Sequence, residues 1–411
     1  MNNLLTLAMI VKNEEQFLPQ CLASVQNVVD DMVIVDTGST DRTIEIAQSF
    51  GARVIQIDWP NDFAQARNVG LGAVKTPWVL VMDADEELVA DDIPVLENAI
   101  KAPTADAYNV RIVSVMERAE DISESYVTRI FRSHPAIRFE GAIHEQVFYA
   151  LSRAHQNLVS LNLRLIHKGY LSSVFVARNK AQRNLKLLEQ HVEKNPQDGY
   201  MLWQLSQSYD GASLYEEALQ AIQRALKVLS DDNPIRVLAL NSYARILFHS
   251  GKPKKALRSL DQSLGFHPTY TDFRYLEGTI LMELKQWAEA HKAFEDCLQL
   301  GEPQGFLMTE TGVGGFKALY RLAQIELAQN RSKQGLAYLL MAIRIQPSYR
   351  SAWHAVASLL QGTPIPQLFH TLLLAIPVNT LIATLKSWPA LNADEQHLLE
   401  YAEQYVLTPQ N

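Results

Sequence analysis

Two carboxylates one residue apart are the first sign of chemistry in this chain. Val81-Met82-Asp83-Ala84-Asp85 closes a short apolar run. In an extended strand residues i and i+2 point to the same side, so Asp83 and Asp85 can address one ligand. Carboxylate oxygens are hard donors suited to Mg2+ or Mn2+, and such an ion bridges phosphates and neutralises a departing diphosphate. An isolated Asp-x-Asp equally describes a solvated acidic turn leading into Glu86 and Glu87, so its weight depends on its company. Lys12-Asn13-Glu14-Glu15 follows the apolar run Leu4–Val11, and Asp36-Thr37-Gly38-Ser39-Thr40-Asp41-Arg42-Thr43 follows the next. Phe63-Ala64-Gln65-Ala66-Arg67-Asn68 opens a helix ahead of the aspartate pair. Downstream, Arg138-Phe139-Glu140-Gly141-Ala142-Ile143-His144-Glu145 sets a carboxylate and an imidazole side by side after a glycine turn, and His167 stands in Ile166-His167-Lys168.

The elements that must position these residues alternate in type. Leu4–Val11, Met32–Val35, Val54–Ile57 and Trp78–Met82 are near-continuous apolar runs, as in parallel strands covered on both faces. Between the second and third, Ser39, Thr40 and Asp41 offer helix caps and Gly51 a stop; another helix is expected over Phe63–Val74. These are βαβ units, and open α/β sheets bind ligands at the carboxyl ends of their strands, where Asp36, Asp83 and Asp85 fall. Ala107–Val115 and Tyr126–Phe131 alternate, which predicts a mixed or antiparallel extension of the sheet.

After Leu171 the pattern becomes helical and repeats itself. Ala218, Ala256, Ala290 and Gly335 sit in matching contexts at intervals of 38, 34 and 45 residues. The middle interval is the tetratricopeptide period, and the last is lengthened by an insertion placed at Gly305–Gly315. Ile222, Leu260, Phe294 and Leu339 stand four residues beyond the small positions, and Ala225, Ser263, Cys297 and Ala342 seven beyond. Small residues let paired helices approach closely, and stacking buries a continuous core. The apolar stretch Leu368–Leu385 is interrupted by His370, Pro377 and Asn379, so a packed helical pair is expected there and not a membrane span.

The 411-residue chain exceeds one ordinary core, and its formal charge of −8, without long runs of either sign, excludes bulk nucleic-acid binding. Two distant cysteines, Cys21 and Cys297, form neither a disulfide framework nor a zinc site. With no targeting signal ahead of the first strand, a reducing, cytoplasmic setting is expected.

The four N-terminal motifs, in this order, resemble family 2 glycosyltransferases of the GT-A fold over about the first 170 residues. The wording is most similar to the SunS-type branch, in which a GT-A domain is joined to tetratricopeptide repeats and which includes peptide glycosyltransferases. The resemblance implies a Rossmann-like mixed α/β domain over 1–175, a connecting helix over 176–197, an all-α tetratricopeptide solenoid over 198–350 and a helical cap over 351–411. It implies that Asp36 holds the nucleotide base, with Ile10, Val11, Lys12 and Glu14 framing the pocket and Arg67 and Asn68 along base and ribose. Asp83, with Ala84 beside it, would contact the ribose; Asp85 would hold Mn2+ or Mg2+, with His167 completing the shell or serving structurally. Many members read Asp-Asp-Gly-Ser where this chain has Asp36-Thr37-Gly38-Ser39. Inversion needs an acceptor base; Glu145 is the favoured group and His144 the substrate-positioning one, the reverse assignment remaining open. Arg178 and Arg183 could reach a diphosphate, or form a solvated basic face. The expected activity is transfer of a sugar from a UDP- or GDP-linked donor to an acceptor, plausibly a peptide or protein recruited by the repeats, which could also self-associate. The competing expectation is an inactive GT-A domain on a peptide-binding scaffold.

Overall fold

Runs of bulky apolar residues demand cover on both faces, and the first strands have it. The computed structural model describes residues 3–114, 123–168, 174–302, 311–388 and 391–407. Strands β1 (Leu5–Val11), β2 (Asp31–Asp36), β3 (Arg53–Gln56) and β4 (Trp78–Val81) run parallel, in the spatial order β3-β2-β1-β4. The crossovers carry α1 (Leu18–Val25), α2 (Thr43–Ser49) and α3 (Phe63–Ala73). Leu5, Leu7, Met9 and Leu80 pack with Leu18 and Leu22 of α1 on one face; Ala8, Val79 and Val81 meet Ala64 and Leu71 of α3 on the other. Helix α2 begins at Thr43, whose amide donates to Asp41 Oδ1 at 3.0 Å, and ends before Gly51, whose φ of +78° a glycine adopts without strain.

The sheet then becomes mixed. β5 (Glu86–Leu88), α4 (Ile93–Lys101), β6 (Ala107–Ser114), β7 (Ser123–Arg132), α5 (Phe148–Arg153) and β8 (Leu158–His167) follow. They complete an eight-stranded sheet of order β3-β2-β1-β4-β7-β6-β8-β5. β7 is antiparallel to both β4 and β6, and β5 is antiparallel to β8. One irregularity matters for the site. Tyr108 pairs with Ile130 and Asn109 with Thr128, so Arg129 is the extra residue of a bulge, a device that re-aims a side chain.

The elements that follow among the described residues are helices: α6 (Val174–Lys194), α7 (Gly199–Gly211), α8 (Tyr215–Val228), α9 (Ile235–His249), α10 (Pro253–Phe266), α11 (Thr271–Glu283), α12 (Trp287–Leu300), α13 (Phe316–Ala328) and α14 (Ser332–Ile345). Four helical hairpins, α7–α8, α9–α10, α11–α12 and α13–α14, carry the repeat. Their turns contain Ser213, Gly251, Lys285 and Asn330, all at positive φ and each five residues before Ala218, Ala256, Ala290 or Gly335. The three alanines are fully buried, as are Ile222, Leu260, Phe294 and Leu339, so the small and large positions read from the sequence are the packing positions. α15 (Arg350–Leu359), α16 (Ile365–Leu373), α17 (Val378–Ser387) and α18 (Ala393–Leu407) follow, with Phe369, Leu381 and Leu398 in a shared core. Leu368–Leu385 thus falls in α16 and α17, and no helix among the described residues is long and apolar enough to cross a membrane.

The chain divides into two compact units. One comprises Met1–Val115 with Ser123–Ala239, so α6, α7 and α8 belong with the sheet, and the other includes Leu240–Asn411. Most of the insertion at Gly305–Gly315, and the side chains of Arg178, Asn179 and Lys180, lie outside the described residues. Cys21 and Cys297 are both buried and free.

Candidate active site

The carboxyl ends of β1, β2 and β4 gather the candidate residues. Asp36 ends β2 beside Val11 of β1, and it is 1% exposed. Its Oδ1 accepts from the amides of Gly38 and Ser39 at 3.0 Å each, an Asx turn that sets the loop. Its Oδ2 is buried and unbonded, an acceptor suited to a donor group on a ligand. The two loops that frame this point are laced together. The amide of Asn13 donates to Ser39 Oγ at 2.9 Å, that of Thr40 to Asn13 Oδ1 at 2.8 Å, and that of Glu14 to Thr43 Oγ1 at 2.7 Å. Ile10 is half-buried, Val11 buried and Lys12 exposed at the same edge.

Beyond β4, Asp83 lies between two buried arginines. Arg67 Nη2 donates to Asp83 Oδ1 at 2.6 Å, and Arg129 Nη2 donates to Asp83 Oδ2 at 2.8 Å. Arg129 Nη2 also reaches Glu86 Oε1 at 2.5 Å, while Glu86 Oε2 accepts from the amide of Asp83 at 2.9 Å. Arg67 Nε donates to Glu145 Oε1 at 2.6 Å. Three carboxylates thus surround two buried guanidinium groups, with Glu86 buried and Asp83 partly open to solvent. Removal from water favours the neutral acid, but the charges of Arg129 and Arg67 override it and hold the Asp83 carboxyl far below the usual range. Glu86, 1% exposed, goes the other way: burial, reinforced by the negative charge of Asp83, pushes it up to about 7 against the pull of Arg129. Both arginines stay charged, since their carboxylates outweigh the effect of burial. Arg67 Nη1 and Arg129 Nε are buried donors without a partner.

Asp85 faces His167 across the sheet. Glu86 pairs with His167 in the β5–β8 ladder, and the amide of Lys168 donates to Asp85 O at 2.9 Å. That register sets His167 Nε2 3.3 Å from Asp85 Oδ2, with His167 Nδ1 3.3 Å from Ser114 Oγ. The hydrogen bond to Asp85 raises the imidazole's affinity for a proton above its ordinary value, in spite of burial. Ala84, between Asp83 and Asp85 in sequence, is buried in the core.

The segment from Phe139 to Gln146 forms a closed loop. Glu140 and Gln146 exchange backbone hydrogen bonds of 2.9 and 3.0 Å, Gly141 has φ +98° and His144 φ +51°. Glu145 is directed at Arg67, with 13% of its side chain exposed. Burial lowers the basicity of His144. Asn68, expected along base and ribose, holds this loop: its Nδ2 donates to Phe139 O and its Oδ1 accepts from Phe139 N, both at 2.9 Å. Glu140 pairs instead with Arg153 at the surface. Arg183, midway along α6, lies with its guanidinium 5.5 Å from the centre of the Phe63 ring.

Arg129 and Glu86 escaped the sequence reading. Arg129 sits in an alternating strand, where parity would turn it away from its buried neighbours Thr128 and Ile130. The one available signal was a lone arginine among apolar and hydroxyl residues. Glu86 follows the aspartate pair as an ordinary acidic neighbour, and nothing local marks it as buried.

A parallel sheet with carboxylates at its strand ends, extended by a mixed set of strands of which β8, parallel to β6, brings a histidine to the same edge, defines an α/β domain of the ligand-binding type. Residues 6–151 match the family model described as glycosyl transferase family 2, and residues 204–271 and 275–350 match that of the tetratricopeptide repeat. The chain carries a family 2 glycosyltransferase domain followed by tetratricopeptide repeats. It is 36% identical over 228 residues to a TPR repeat-containing protein of Synechococcus elongatus, covering 54% of this chain and 55% of that one. It is 23% identical over 282 residues to the SPbeta prophage-derived glycosyltransferase SunS of Bacillus subtilis, covering 68% of this chain and 67% of that one. Over 99 residues it is 34% identical to an uncharacterized glycosyltransferase of Rickettsia bellii, 24% of this chain and 33% of the other. The chain thus spans about half the length of the Synechococcus relative.

Proposed function

We propose that the N-terminal domain transfers a sugar, with inversion, from a UDP- or GDP-linked donor to a peptide or protein acceptor in the cytoplasm. The observation that carries this reading is the pair of buried, unbonded polar atoms, Asp36 Oδ2 and Arg67 Nη1, at the edge where Asp83 and Asp85 also lie. Buried polar atoms without partners are uncommon, and a base, ribose or phosphate supplies what they lack. Asp36 takes the base, and Arg67 and Asp83 the ribose side. Asp85 and His167 would hold Mn2+ or Mg2+. A carboxylate oxygen and an imidazole nitrogen 3.3 Å apart fit an ion that draws its remaining ligands from phosphate and water. Among the described residues no cluster of three or more His, Cys, Asp or Glu offers a complete cage. When bound, the ion neutralises charge on the leaving diphosphate. Glu145 takes the acceptor's proton as the nucleophile attacks, and Arg67 holds that carboxylate in place beforehand.

Thermal stabilisation by a panel of UDP- and GDP-sugars with Mn2+ tests this, with Asp85→Ala as control. The expected result is a shift for at least one donor that needs the ion and disappears in the variant. No shift for any donor would leave the catalytically inactive scaffold as the better reading.

A further inference from the structure

The loop that carries Glu145 is gripped from two directions. From α3, Asn68 bonds both backbone groups of Phe139, Phe63 N donates to Ala142 O at 2.8 Å, and Arg67 binds Glu145. From α7, the first helix of the repeats, Gln146 Nε2 donates to Tyr200 Oη at 3.3 Å. Gln204 Nε2, one turn along α7, donates to the same oxygen at 2.9 Å and so fixes the phenol. Next to Tyr200, Met201 lies directly on Gly141: a Cβ there would fall 2.2 Å from Met201 Cε. Met201 is 2% exposed, and Asp198, the cap of α7, receives its amide at 3.0 Å. The ring of Tyr200 stands edge-on to Tyr149 of α5, with centroids 6.2 Å apart. All of these contacts lie within one compact unit.

We infer that Tyr200 and Met201 are positioning residues for Glu145: the first repeat helix clamps the base-bearing loop against α3. This rests on the role proposed for Glu145. A carboxylate acting on an acceptor must be held to a fraction of an ångström, and side chains on a capped helix hold a loop more closely than the loop holds itself. The α3 contacts fix Phe139, Ala142 and Glu145; those from α7 fix Gly141 and Gln146. Without the second set, the Glu140–Gln146 closure is anchored on one side only. The repeats then do more than recruit a partner, because their first helix forms part of the catalytic framework.

Two readouts on the full-length protein test the clamp. The first is amide hydrogen exchange at Gln146 in Tyr200→Phe and Met201→Ala, with Met201→Leu as the conservative control. Exchange about tenfold faster in the first two, with β1 and β4 unchanged and Met201→Leu near wild type, is expected for a loop released locally. Unchanged exchange at Gln146, or equal acceleration throughout the sheet, overturns the inference whether or not the protein turns over a donor. The second is hydrolysis of the nucleotide sugar that stabilises the wild type, with Mn2+. Here kcat should fall about tenfold with the donor KM unchanged. Released exchange with an unchanged kcat would also overturn it. Absence of donor turnover in the wild type counts against the proposed function alone, since the exchange measurement still decides the clamp.

Discussion

Arg67 Nε lies 2.6 Å from Glu145 Oε1, which ties the carboxylate expected to act on the acceptor to a residue expected along the donor. The same guanidinium donates to Asp83 at 2.6 Å, so one planar group holds both carboxylates. Arg67→Lys keeps the charge but replaces a rigid fork with a point donor, which cannot serve both carboxylates in this geometry. We expect kcat for transfer to fall by about 10- to 100-fold with the fold intact by circular dichroism. Glu145→Gln should keep donor affinity and lose about 10²- to 10⁴-fold in kcat; unchanged transfer would remove Glu145 from the mechanism.

Arg129 is the structural counterpart of that pair. Its loss would leave Glu86 buried beside Asp83 with no cation between them. Breaking such a cluster from one side costs about 3–5 kcal/mol, since Glu86 keeps its desolvation without compensation while Asp83 retains Arg67. Urea unfolding of Arg129→Met should show a loss of that order. Arg129→Met with Glu86→Gln should recover part of it; a double variant no better than the single one would show that the cost is packing.

Asp92 supplies an acid-sensitive link. Its carboxylate accepts from Arg164 N and Nε at 2.8 Å and from Nη2 at 2.9 Å. The bonds to the guanidinium hold its carboxyl below the ordinary value, against a smaller opposing effect of burial. A carboxyl lowered by folding stabilises fully above its unfolded pKa of about 3.9, and that stability disappears as pH falls through the lower folded value. Asp92→Asn should therefore lower stability at pH 7 by roughly 1.5–3 kcal/mol. The difference from wild type should shrink as pH falls below about 4. A difference that stays constant between pH 7 and pH 3 would exclude the charged pair as its source.

Gly278 and Phe294 compensate for each other in the third repeat. Twelve residues before Ala218, Ala256, Ala290 and Gly335 stand Ser206, Ala244, Gly278 and Ala323, of which Ser206, Ala244 and Ala323 are fully buried. Four residues beyond each small position stand Ile222, Leu260, Phe294 and Leu339, all fully buried. Only the third repeat has a ring there, and a Cβ on Gly278 would come within 2.8 Å of it. Gly278→Ala should cost about 1–3 kcal/mol by overpacking, although alanine is the better helix former. Phe294→Leu in the same chain should remove most of that cost, which a double-mutant cycle by thermal denaturation would measure.

Much of this architecture was legible from pattern alone, for reasons that are local. A strand buried on both faces must be apolar throughout, and a close helix crossing needs a small residue at a fixed place, so β1 to β4 and Ala218, Ala256, Ala290 and Gly335 announced themselves. Strand ends follow from strands, which placed Asp36, Asp83 and Asp85 at one edge. The positive φ shared by Ser213, Gly251, Lys285 and Asn330 was hidden, because the repeat's turn accepts serine, lysine and asparagine as well as glycine.

What tertiary structure alone decided is which charges meet. His167 reaches Asp85 because β8 returns antiparallel to β5, 82 positions later in the chain. Arg129 enters the site because a bulge reverses the parity of β7, and Glu86 is buried because that arginine is there to receive it. Asn68 is bound to Phe139 and Tyr200 to Gln146 by folding, across 71 and 54 residues. Sequence periodicity reports the solvent or core around each residue, since that depends on its own element. Pairings between charged groups depend on the register of distant elements, and no spacing along the chain encodes them.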